Sequence, residues 1–279
     1  MVSVDDSTLK VFIEEDIGSG DVTSMIVEPC IIDAYIVCKE DAVIAGIEEA
    51  SRIFRLVNCN VTHSIADGSE VKADTTIMRI NGDASSILAV ERTVLNLMMR
   101  MSGIATYTRR LVSMVKSVNP SVMVAATRKT APGLRILDKK AVVFGGGYTH
   151  RLGLYDMVLI KDNHITLIGS VKDAIRRARN IHGSKYTIEV EVKNLHQAIE
   201  AVLEGADIIM LDNLSSSETE QIIKELRSRG LRERIKVEVS GRIDESNIME
   251  YARLDVDYIS VGKITHSVRA VDMSLEVND

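Results

Sequence analysis

YTIEVEVKNLHQAIEAVLEGADIIMLD, residues 186–212, carries the pattern that sets the fold. YTIEVEV alternates and is rich in β-branched residues, LHQAIEAVLE has helical spacing, and ADIIMLD is a second β-rich run. Working outward, the same alternation recurs. VMVAAT (122–127), DMVLIK (156–161), RIKVEVS (234–240) and VDYISVG (256–262) read as strands, and 170–182, 195–204, 215–229 and 245–253 read as helices. Strand–helix alternation over this length argues for a parallel sheet closing toward a barrel. Barrel chemistry sits at the C-terminal ends of the strands. Those ends are Thr127-Arg128-Lys129, Lys161-Asp162-Asn163, Glu189 and Glu191, Asp212-Asn213, Ser240-Gly241 and Gly262-Lys263. Within IEVEV, alternation puts Glu189 and Glu191 on one face. If Ile188 and Val190 meet the outer helices, both carboxylates point inside and need a cation, from Lys129, Lys161 or a metal.

The first hundred residues read as a separate α+β module. Residues 7–15 and 46–57 have helical spacing, and 33–39, 61–65 and 75–80 are short strands. Asp83 is expected to cap a following helix with an apolar stripe at Leu88, Leu95, Met98 and Met101. Gly103 is expected to break or kink it. Glu91 and Arg92 on that helix read most simply as an exposed ion pair, and Asp16 and Asp21 as structural.

Charge narrows the function. The block TRKTAPGLRILDKKAVVFGGGYTHRLGLYDMVLIKDNH (127–164) sets seven basic side chains against three acids, in a chain of formal charge −6. A compact anion suits that island better than nucleic acid, which needs a wider basic face. No apolar run approaches the ~18 residues of a membrane span. Cys30, Cys38 and Cys59 have no metal-type spacing and point to reduced thiols in a cytoplasm. His63, His164, His182 and His196 read as capping or surface residues. The VSG and VGK ends, with Thr265 and His266 following, suggest a phosphate site. Glu191 and Asp212 would hold ribose hydroxyls or Mg²⁺. The spacing thus supports a barrel enzyme joining a phosphorylated sugar to an acidic partner, without naming that partner.

A resemblance supplies it. GDVT (20–23), ERTVLN (91–96), SGIAT (102–106), TRKTAPGLR (127–135), GGGYTHRLGLYDMVLIKDNH (145–164), EVEV (189–192), LDN (211–213), SG (240–241) and VGKITHS (261–267) occur in order. Together they resemble the quinolinate phosphoribosyltransferase family, nicotinate-nucleotide pyrophosphorylase (carboxylating). The resemblance implies an N-terminal sandwich over 1–110, an incomplete seven-stranded α/β barrel over 111–267, and a tail, 268–279, that returns to the first domain. It implies a homodimer and a Mg²⁺-dependent reaction. Quinolinate and phosphoribosyl pyrophosphate would give nicotinate mononucleotide, CO₂ and pyrophosphate, a step of NAD biosynthesis.

Residue by residue, it assigns Arg128, His150, Arg151 and Lys161 to quinolinate, with Arg92 supplied by the partner subunit, against the surface-pair reading. Thr127, Lys129, Glu191 and Asp212 fall to the phosphoribosyl pyrophosphate, with Glu191 and Asp212 at the metal. Ser240, Gly241, Arg242, Val261, Gly262 and Lys263 fall to the 5′-phosphate. Lys129, Lys161, Glu191 and Asp212 are the catalytic set. Two positions depart from the family pattern: Ala126 where an acid is common, and Arg242 where the loop commonly reads Ser-Gly-Gly. The rival readings are a relative acting on another base, a Schiff-base aldolase using Lys161, and a non-catalytic sensor of phosphate ligands.

Overall fold

The computed structural model describes residues 3–277 and divides into two compact units. The first comprises 1–109, 131–146 and 267–279; the second comprises 110–130 and 147–266. The tail therefore lies with the N-terminal unit. So does 131–146, which the domain boundaries expected from the sequence placed in the barrel. Its helix, Arg135–Phe144, buries Asp138 and Lys140 against charges from the first hundred residues. Arg100 donates two 2.8 Å hydrogen bonds to Asp138. Lys140 Nζ lies 2.5 Å from Glu48 and 2.7 Å from Glu49. Buried charges persist only when paired, and these partners fix where the helix belongs.

In the first unit, β1 (Ile31–Cys38), β3 (Asn60–Ser64), β5 (Thr75–Asp83) and β12 (Met273–Val277) form an antiparallel sheet in the order β12-β1-β5-β3. Two short strands, β2 (Ala42–Val43) and β4 (Glu70–Val71), pair separately. Asp83 caps the next helix, accepting from Ser86 N at 2.9 Å. That helix, Ala84–Lys116, is continuous for 33 residues, so the expected break at Gly103 is absent. Gly103 instead admits the returning tail: a Cβ there would lie 2.1 Å from Arg269 O. Either side of it, Ser102 Oγ accepts from Ala45 N and Thr106 Oγ1 from Val43 N. The SGIAT motif is thus accounted for by packing. The buried stripe uses Ile87, Val90, Val94, Leu95, Met98 and Met101, while Leu88 is half-exposed. Asp21 accepts from the Thr23 and Ser24 amides, a structural role.

In the second unit, β6 (Met123–Ala125), β7 (Val158–Ile160), β8 (Ile188–Val192), β9 (Ile208–Asp212), β10 (Lys236–Ser240) and β11 (Tyr258–Ser260) form one parallel sheet. The order is β6-β11-β10-β9-β8-β7, which is barrel order with β6 carried round beside β11. All six β-rich runs of the sequence fall on these strands. A seventh position is reduced to one parallel bridge, Ala125–Tyr148, held by Tyr148 N to Val124 O at 2.8 Å and Ala126 N to Tyr148 O at 2.9 Å. Among the described residues nothing joins this edge to β7, so the barrel is incomplete. Helices Val171–His182, Leu195–Leu203 and Ser216–Ser228 follow β7, β8 and β9, each N-capped by a Ser or Asn side chain. Such caps satisfy amides that the helix leaves unpaired. Among the described residues, no helix is long and apolar enough to cross a membrane.

Candidate active site

The C-terminal ends of the parallel strands enclose a cavity of about 650 Å³. Thr127, Arg128 and Lys129 reach it from the end of β6, Lys161 from β7, Glu191 from β8 and Asp212 from β9. Ser240, Gly241 and Arg242 follow β10, and His150 and Arg151 enter from the bridge segment. Strand-end residues meet because a parallel sheet brings every C-terminal end to one rim.

The cations divide by what they touch. Lys161 pairs with Glu191. Arg128, Lys129, Arg151 and Arg242 make no side-chain hydrogen bond or ion pair among the described residues. Arg128 Nε is buried without a partner. Arg151 is 7% exposed, and burial, with the Arg128 charge beside it, pulls its guanidinium below the usual arginine range. Two like charges side by side at a cavity, one buried and one half-buried, favour an anion between them. The basic island is smaller than the sequence suggests, because Lys140 is spent in the first unit and Arg135 and Lys139 do not line the cavity.

Glu189 and Glu191 face inward as alternation requires, but their cations differ. Glu191 takes Lys161, while Glu189 takes His150, which the sequence reading had not considered for it. His150 Nε2 lies 3.1 Å from Glu189 and 3.0 Å from Glu238, both carboxylates being fully buried. Neither contact has hydrogen-bond geometry, so the ring and the two carboxylates meet as charges. On the other side of the ring, Nδ1 accepts from Arg151 N at 2.8 Å. Burial opposes a charged ring, yet the two carboxylates outweigh it and hold the imidazole above its ordinary value. Burial first, then the neighbouring Glu238 carboxylate, pushes Glu189 up. Glu238 escaped the sequence reading. Its signal was the same as that of Glu189, an acid between β-branched apolar residues inside a strand: Val237 and Val239 for Glu238, Ile188 and Val190 for Glu189.

The loop after β10 is shaped by close approach. Asn213 N donates to Ser240 O at 2.8 Å, and a Cβ on Gly241 would lie 2.5 Å from Asn213 Oδ1, so only glycine fits there. Asn213 and Arg242 both have left-handed backbones, at φ +56° and +52°. Asp212 accepts from Asn213 Nδ2 at 2.8 Å. Three of the residues expected at a phosphate do not line the cavity. Val261 is buried and donates its amide to Ala125 O, Gly262 packs under His266, and Lys263 pairs with Asp244 at 3.2 Å. The helix there, Lys263–His266, has only four residues. Arg92 is exposed in the first unit, 3.8 Å from Glu91. His164 caps, accepting from Lys161 N at 2.9 Å.

Two family patterns cover this chain: quinolinate phosphoribosyl transferase, N-terminal domain, over 21–102, and the C-terminal domain of the same family over 104–276. The chain belongs to the quinolinate phosphoribosyltransferase family. It is 47% identical over 273 residues to a probable nicotinate-nucleotide pyrophosphorylase (carboxylating) of Methanocaldococcus jannaschii, covering 96% of this chain and 95% of that one. The Archaeoglobus fulgidus protein of the same description is 46% identical over 258 residues, covering 92% and 98%. The solved nicotinate-nucleotide pyrophosphorylase of Francisella tularensis superposes with a TM-score of 0.90 at 35% identity, covering 99% and 98%. Family membership removes the aldolase reading, and the superposition accords with an N-terminal α+β unit and an incomplete barrel.

Proposed function

We propose that the protein transfers the phosphoribosyl group of phosphoribosyl pyrophosphate to quinolinate, releasing pyrophosphate and CO₂ and forming nicotinate mononucleotide. One observation carries this reading beyond family membership: four cations without counter-ions converge on a single cavity. A flat dicarboxylate suits Arg128 and Arg151, whose planar forks pair with carboxylates bidentately. Lys129 and Arg242 are left for phosphate groups.

The chemistry then follows from charge. The pyridine nitrogen bonds to the anomeric carbon as the bond to pyrophosphate breaks. Lys129 stabilises the leaving oxygens, and Glu191 and Asp212 orient the ribose hydroxyls. The nitrogen's new positive charge lets the adjacent C–CO₂ bond break, its electron pair staying on the ring carbon until solvent supplies a proton. No strong base is required. Glu191 and Asp212 present only oxygen donors, at neighbouring strand ends in a roomy cavity, which fits Mg²⁺ shared with phosphates and water. A bound Mg²⁺ would neutralise pyrophosphate charge. Arg92, exposed on the helix of the first unit, fits as the partner's contribution in a homodimer. Three free cysteines support a reducing, cytoplasmic setting.

Calorimetric titration tests the substrate assignment. Quinolinate should bind at least about tenfold more tightly than nicotinate, which lacks one carboxylate. Equal affinities would remove the basis for assigning two arginines to a diacid.

A further inference from the structure

The resemblance assigns His150 to the substrate, yet neither ring nitrogen is available to one. Nε2 faces Glu189 and Glu238, and Nδ1 is held by the Arg151 amide. The two carboxylates come from β8 and β10, which flank β9, and both are fully buried. Such a pair is costly unless it does something that an apolar pair would not. Among the described residues its only cationic contact is His150, whose backbone is left-handed at φ +53°. Histidine tolerates that region better than most residues, but it must still be held there. The next residue in the chain is Arg151, a buried guanidinium beside Arg128 that makes no ion pair among the described residues, although the charges of Glu189, Glu191 and Asp156 reach it. Repulsion would swing such a side chain away from its neighbour unless its backbone were fixed.

We propose that Glu189 and Glu238 are positioning residues that act through His150 to aim Arg151 at a substrate carboxylate. The carboxylates orient the ring, the ring accepts the Arg151 amide, and the guanidinium is thereby held beside Arg128 before substrate arrives. Pre-organisation of this kind removes the ordering cost from binding. This inference rests on the quinolinate reading above.

The test is a double-mutant cycle on quinolinate affinity, using Glu238→Gln, His150→Asn and the double variant. Glu238→Gln should weaken quinolinate about tenfold while leaving the KM for phosphoribosyl pyrophosphate unchanged. The double variant should bind quinolinate no more weakly than His150→Asn alone, because a residue acting through His150 has nothing left to act on. Additive losses, or equal losses for both substrates, would overturn the proposal and leave Glu238 a general support of the sheet. If Glu238→Gln does not fold, Glu189→Gln takes its place in the same cycle. Failure of both to fold while His150→Asn folds would also overturn it. A wild-type protein that binds no quinolinate would sink the substrate reading itself. Tight wild-type binding with an additive cycle would sink only the positioning role.

Discussion

Arg242→Gly separates backbone cost from ligand contact at one position. Arg242 holds a left-handed backbone, φ +52°, following Gly241 at φ +102°. A non-glycine residue there costs about 1–2 kcal/mol. Glycine relieves that cost, but it adds about 0.4–1 kcal/mol of freedom to the unfolded chain. The net expectation is a gain of roughly 0.5 kcal/mol in unfolding free energy. Affinity should move the other way. The guanidinium lines the cavity, is exposed, and has no anionic partner among the described residues. A charged hydrogen bond contributes about 1.5–3 kcal/mol, and solvent exposure cuts this to about 1 kcal/mol. The KM for phosphoribosyl pyrophosphate should therefore rise about fivefold, with kcat and the quinolinate KM unchanged. Arg242→Ala is the control: it loses the guanidinium but keeps the strain, so KM should rise equally without the stability gain. Steady-state kinetics and urea unfolding read both quantities. An unchanged KM in both variants would show that Arg242 serves through its backbone alone.

Three further predictions use the same logic. Lys129→Ala should lower kcat by about a hundredfold or more, the scale of a lost transition-state charge contact, while quinolinate affinity holds; a lost quinolinate affinity with normal turnover would reverse the assignment. Arg92→Ala and Lys161→Ala chains, each inactive alone, should regain up to about half of the wild-type activity per exchanged heterodimer, because one site then carries neither lesion; no recovery from demonstrated heterodimers would place Arg92 outside the site. Gly103→Ala should destabilise the fold. It gains about 1 kcal/mol of helix propensity but drives a Cβ to 2.1 Å from Arg269 O. Overpacking against backbone costs about 1–3 kcal/mol, so the clash wins, and a higher Tm would refute it.

Local periodicity controls most of what was legible in the sequence. IEVEV shows its inward acids, KVEVS carries the same signal at Glu238 although it was passed over, and the six β-rich runs lie on the six strands, because each strand's faces are set by its own alternation. Cross-chain partners were not legible. Lys140 counts as part of a basic island until Glu48 and Glu49, more than ninety residues earlier, are seen to neutralise it. Gly103 looks like a helix breaker because the Arg269 carbonyl that demands it comes from the far end of the chain. His150 takes a substrate role by resemblance, and no local pattern pairs it with the two carboxylates from β8 and β10 that face its Nε2. In each case the deciding contact joins residues distant in sequence.

The central claim is most directly tested by measuring both products at once. The purified protein is given Mg²⁺, phosphoribosyl pyrophosphate and quinolinate labelled in its 2-carboxylate, and labelled CO₂ and pyrophosphate are measured together. The account predicts equal amounts of the two, each requiring both substrates. Pyrophosphate release that does not depend on quinolinate, or quinolinate binding with no labelled CO₂, would contradict it.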